Sequence, residues 1–133
     1  MADEADIIEV GKISYYTTAT LTEIKKGTFV ILSDPRTVAA HAAVNELCAG
    51  VTVADKPDDN ALTNARVGVM ETGKIDMVAD GNITVGDVLV LSAVANRCKT
   101  MPATLSANSL RYIVGRALET ATDGERINVD LRI

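Results

Sequence analysis

Ile24-Lys25-Lys26-Gly27-Thr28-Phe29-Val30-Ile31-Leu32-Ser33 and Ile83-Thr84-Val85-Gly86-Asp87-Val88-Leu89-Val90-Leu91-Ser92 align without a gap, 59 residues apart. Each copy begins at an isoleucine, passes through a glycine, and enters a run of four apolar residues. Glycine at that point supplies the positive φ that a chain often needs just before a sheet, a conformation that other L-residues adopt only at a cost. The apolar runs Phe29 to Leu32 and Val88 to Leu91 then read as strands covered on both faces.

Working outward, the repeat continues. Ala49-Gly50-Val51-Thr52-Val53 corresponds to Val114-Gly115-Arg116-Ala117-Leu118 at an offset of 65, and Arg66-Val67-Gly68-Val69 to Arg126-Ile127-Asn128-Val129 at an offset of 60, so the connecting loops differ in length. Every second residue is apolar in Arg66 to Met70 and in Arg126 to Leu131, the period of a strand with one face on a core. Asp80-Gly81-Asn82 and Asp123-Gly124 mark tight turns. The fold class expected is mainly β: a small β-barrel or β-tulip built from two repeated three-strand units. Residues 36 to 47 are Ala-rich and follow a Ser33-Asp34-Pro35 start signal, which admits either a short helix near residues 37–47 or an extended loop. Met101 to Ser109 reads as an irregular surface loop. The expected layout is an N-terminal arm over 1–12 and a single barrel domain over 13–133.

Composition narrows the function. At 133 residues, with 47% hydrophobic and 23% charged side chains, the chain has the make-up of one folded domain. A net charge of −5 gives no long-range attraction to nucleic acid or anionic lipid. Phe29, Tyr15, Tyr16 and Tyr112 are the only aromatic residues, leaving little stacking surface for bases or sugars. No apolar run reaches the length of a membrane span, and the acidic N-terminus lacks the pattern of a secretory signal, so a soluble chain made in the cytosol is expected.

Catalytic and ligand chemistry find little to build on. His41 is the single histidine; it cannot form a metal cluster alone and reads as structural rather than as a general base. Cys48 and Cys98 lack metal-type spacing and read as buried small apolar residues. Asp55-Lys56-Pro57-Asp58-Asp59-Asn60 offers oxygen ligands for calcium without the alternating pattern of an EF-hand, and reads as a solvated turn. No Gly-rich phosphate loop is present, and no cofactor or metal is expected. The residues set apart for a possible interface are Ile7, Ile8 and Val10, which are apolar, lie outside the repeat and either cover a barrel end or dock on a partner surface, and the Tyr15-Tyr16 pair, which is either an anchor or one inward and one outward residue of a strand.

Ala79-Asp80-Gly81-Asn82-Ile83-Thr84-Val85-Gly86-Asp87-Val88-Leu89-Val90-Leu91, followed by the Val-Gly strand Ile113 to Leu118 and the terminal strand Arg126 to Ile133, resembles the head decoration, or cement, proteins of tailed bacterial and archaeal viruses. The likeness spans about residues 13–133. It implies a compact non-enzymatic barrel, commonly a homotrimer, on the capsid exterior where major capsid protein subunits meet, resisting the pressure of packaged DNA. The alternatives that the same strand pattern permits are a ligand- or calcium-binding accessory barrel and a tail or baseplate β-domain. In some members an N-terminal arm touches the lattice, a role that would fall on Ala2 to Lys12. Removing residues 2–11 is then expected to weaken capsid binding and leave the barrel folded. The Ala-rich segment Val38 to Leu47 is longer than the resemblance calls for.

Overall fold

The computed structural model describes residues 3–18, 23–34, 36–42, 47–55, 66–102 and 112–133. These hold eleven strands: β1 Asp6–Val10, β2 Ile13–Thr18, β3 Phe29–Asp34, β4 Thr37–Ala40, β5 Cys48–Thr52, β6 Arg66–Met70, β7 Thr72–Ala79, β8 Val88–Leu91, β9 Arg97–Thr100, β10 Ile113–Ala117 and β11 Arg126–Arg132.

Strands β2 to β6 close a barrel in the order β2-β4-β3-β5-β6. Strands β7 to β11 repeat it as β7-β9-β8-β10-β11, since β7 pairs with both β9 and β11. In each, a short parallel pairing closes the ring, Thr17 and Thr18 on Thr37 and Val38, then Val78 and Ala79 on Arg97 and Cys98. The chain is thus two five-stranded barrels where the spacing of motifs marks a three-strand unit in one barrel. The motifs find β3/β8, β5/β10 and β6/β11, and miss β2/β7 and β4/β9. The helix considered near residues 37–47 is strand at Thr37–Ala40, because those residues zip antiparallel onto β3; residues 43–46 lie outside the described set, as does the loop from residue 103 to 109.

The turns are as their glycines require. Gly27 and Gly86 have φ of 85° and 91°, and the backbone hydrogen bonds around them match: Gly27 and Thr52 mirror Gly86 and Ala117. Gly50 and Gly115 serve another need, for a Cβ there would collide with the Met70 and Asp130 carbonyl oxygens of the neighbouring strand.

Among the described residues, two clusters form the core. Val30, Val38, Ala49, Val67 and Val69 fill the first barrel, with Tyr16 packed against them. Their counterparts in the second are mostly larger: Leu89, Cys98, Val114, Ile127 and Val129. The opposite face of the first barrel, Phe29, Cys48, Val51 and Met70, joins the second barrel's cluster, which is why Met70 is buried despite lying out of phase with Val67 and Val69. The apolar runs are covered except at their ends, where Leu32 is 42% and Val88 37% exposed.

A polar knot fixes the barrels against each other. The Phe29 N–H donates to Asn96 Oδ1 at 2.9 Å, and the Asn96 N–H donates to His41 Nδ1 at 3.2 Å. Nδ1 therefore accepts, which leaves Nε2–H to donate to the Ser92 carbonyl at 2.8 Å. Both ring nitrogens of this buried histidine are committed to architecture.

Candidate interaction surface

Segment 1–12, expected as an arm, is a strand of the second barrel's sheet over Asp6–Val10, antiparallel to β7 with Ile7 opposite Ile75 and Val10 opposite Gly73. Ile7 turns inward and packs against the shared core. A bulge between Ile7 and Glu9 breaks the alternation, so that Ile8 and Glu9 both face out. Glu9 meets Lys74 at 3.7 Å, while Ile8 is 57% exposed and Val10 59%. Ile8, Lys74, Leu118 and Asn128 line an open groove of about 280 Å³.

This strand is anchored at its start. Asp3 Oδ2 lies 2.8 Å from Arg97 Nε, and the Glu4 carbonyl accepts from Arg126 Nη2 at 3.1 Å. The Ala5 N–H donates to the Gly27 carbonyl at 2.8 Å, tying the segment to the first barrel as well. Removing residues 2–11 would thus take Ala5 and Ile7 out of the core, so substitutions at Ile8 and Val10 isolate the surface more cleanly than deletion.

The tyrosines diverge. Tyr15 is 59% exposed and lies over Gly68, where an added Cβ would stand 3.2 Å from its ring and 3.6 Å from Ile13 Cγ2. Tyr16 points the other way, onto the first barrel's cluster, and its hydroxyl donates to Glu71 Oε1 at 3.2 Å. Burial, and then the Glu71 charge, push the Tyr16 phenol up. Burial also pushes Glu71 up, but bonds from Ser14 and Lys12, the Lys12 charge and the Tyr16 bond outweigh it and hold the carboxyl below its ordinary range.

The structure therefore leaves Ile8, Val10 and Tyr15 on the surface and commits Ile7 and Tyr16 to packing. Leu118, 37% exposed, completes the Ile8 groove; no local pattern marks it, because its place beside β1 arises from pairing far along the chain. Shallow apolar patches bordered by ion pairs suit contact with a protein surface.

Other candidates are spoken for. Cys48 and Cys98 are free and buried, and burial pushes both thiols up to about 12. Asp55 Oδ1 accepts the Lys26 N–H, and residues 56–60 lie outside the described set. Among the described residues, no group of three or more His, Cys, Asp or Glu is placed to hold a metal ion, and no helix is long and apolar enough to cross a membrane.

Comparison with solved structures finds a similar chain in the N base of head fiber gp8.5 from bacteriophage phi29, at a TM-score of 0.57 and 18% identity, covering 90% of this chain and 94% of that one. That likeness is one of fold. No curated protein matches the chain. The family model described as phage cement protein matches residues 8–133, from within β1 to the C-terminus and across both barrels. The chain belongs to the phage cement protein family, and with it to the structural proteins associated with the viral capsid.

Proposed function

We propose that this chain binds the outer surface of the assembled capsid as a homotrimer, with the major capsid protein as partner, and stabilises the shell after synthesis in the host cytoplasm. The observation that carries it is Ile8 and Val10, more than half exposed on an edge strand anchored to both barrels. An apolar pair already ordered before docking loses little conformational entropy on binding. A protein that prefers the assembled lattice to free subunits adds its binding energy to particle stability by mass action. Repetition over a symmetric shell lets modest contacts act together, which fits a chain with few aromatic anchors. The work proposed is mechanical, and it is supported by a His41 ring hydrogen-bonded at both nitrogens and by two buried thiols, Cys48 and Cys98.

Quantitative mass spectrometry of gradient-purified particles tests this. Copies near one per major capsid subunit, or a simple lattice fraction, are expected. A chain carrying both Ile8→Asp and Val10→Asp should keep its denaturation midpoint and lose about tenfold or more in occupancy at limiting concentration. Unchanged occupancy removes β1 from the contact; a few copies per particle moves the protein to the tail or portal.

A further inference from the structure

We propose that copies of this chain join head to tail through the contact that already joins its two barrels, the β3–β4 hairpin of one copy seating at the Val88 end of β8 in the next. The proposal deepens the trimer put forward above by naming the two surfaces that form it. It is carried by the duplication and not by the capsid assignment.

The contact within the chain is asymmetric. The second barrel supplies its β8–β9 hairpin, with Ser92 and Asn96 buried. The first supplies the start of β3 and the end of β4, where Phe29 and His41 receive them. Beside Phe29, the face formed by Cys48 and Val51 is buried against the second barrel.

Each half has a counterpart left open. The repeat maps Asn96 onto Arg36 and Ser92 onto Ser33, and Asn96 and Arg36 share a positive φ, 64° and 53°; Leu32, Ser33 and Arg36 are exposed. It maps Phe29, Cys48, Gly50 and Val51 onto Val88, Ile113, Gly115 and Arg116. Instead of a buried face, these four and Arg132 line an open groove of about 180 Å³, with Val88 37% exposed. Among the described residues, one open hairpin and one open groove per chain make a heterologous pair, which propagates from copy to copy until a ring closes. Three chains would present six barrels around one ring, with Met101 and Arg36 standing at the open pair where the contact within the chain has His41 and Asn96.

The residues that differ between used and unused surfaces suit each other. Asn96 bonds the backbone next to Thr28 within the chain; at the open pair the corresponding residues are Arg36 and Asp87, of opposite charge. Arg116 and Arg132 lie 3.8 Å and 2.8 Å from Asp130, so the groove is not left as a bare cationic face.

Light scattering coupled to gel filtration should find the wild-type chain as a trimer. Arg36→Glu and Val88→Glu, each at an exposed site, should each yield a folded monomer. A chain carrying Arg36→Cys and Val88→Cys should oxidise to a covalent trimer on a non-reducing gel, while either cysteine alone stays uncrosslinked. A monomeric or dimeric wild type overturns the proposal. So does a trimer that survives both glutamate variants, or self-crosslinking by either single cysteine, which would make the contact isologous. Particle occupancy is measured separately, so failure here and failure of capsid binding are distinguishable.

Discussion

Gly27 and Gly86 occupy the same place in the two barrels and carry different burdens. At Gly86 only the φ of 91° matters, since a Cβ would meet nothing within 4 Å among the described residues. At Gly27 the Cβ would also strike the Ala5 carbonyl. Gly86→Ala is expected to cost about 1 kcal/mol in urea denaturation and Gly27→Ala about 3 kcal/mol or more, because the second also displaces the anchored N-terminal segment. Thr28 offers the opposite sign. Its hydroxyl is buried without a hydrogen-bond partner among the described residues, whereas the equivalent Asp87 closes its turn by accepting from the Thr84 N–H and the Thr100 hydroxyl. Thr28→Val should therefore raise stability by about 1 kcal/mol, seen as a higher denaturation midpoint at unchanged slope.

Among the elements, legibility followed local chemistry. β3, β5 and β6 and their counterparts announce themselves through glycines and alternation, which depend on neighbours in sequence. β2 and β7 share no residue at matched positions, nor do β4 and β9; their common role is to close a ring by pairing with distant partners. Thr37 to Ala40 is helix-compatible by composition, and only β3 alongside makes it a strand. The two barrels also differ in filling. Valines and an alanine line the first, where leucine, isoleucine and valine predominate in the second. Hydrogen exchange should accordingly reach the amides of β3, β4 and β6 before those of β8, β10 and β11, as expected where less apolar volume is packed. Equal protection in the two barrels would show that the junction, not the interior, limits opening.

At the scale of the whole molecule, Glu71 stands at the joint between the barrels. Its N–H donates to the Lys12 carbonyl, its carbonyl accepts from Ile133, and its carboxylate takes Tyr16 and lies 3.4 Å from Lys12 Nζ. Its carboxyl titrates below the ordinary 4.5 in the folded chain. Stability from this group is therefore present above that value and is lost as pH falls through the lower, folded-state one. Glu71→Gln should lower stability at neutral pH and flatten the acid limb of the stability profile; an unchanged limb would assign acid sensitivity to other carboxylates.

The sequence by itself determined the β class, the duplication and the turns, because positive φ, alternation and short polar turns are set by a few adjacent residues. It also separated β1 from the repeat, and the motif around Ile83 to Leu91 pointed to the cement proteins. Tertiary structure alone decided that the copies close as two barrels, that Ile7 and Tyr16 are packed while Ile8 and Tyr15 are open, and that Phe29 is buried while Val88 is exposed. Those outcomes depend on which surface of one repeat meets the other. Two nearly equivalent halves cannot bury equivalent faces in a single asymmetric contact.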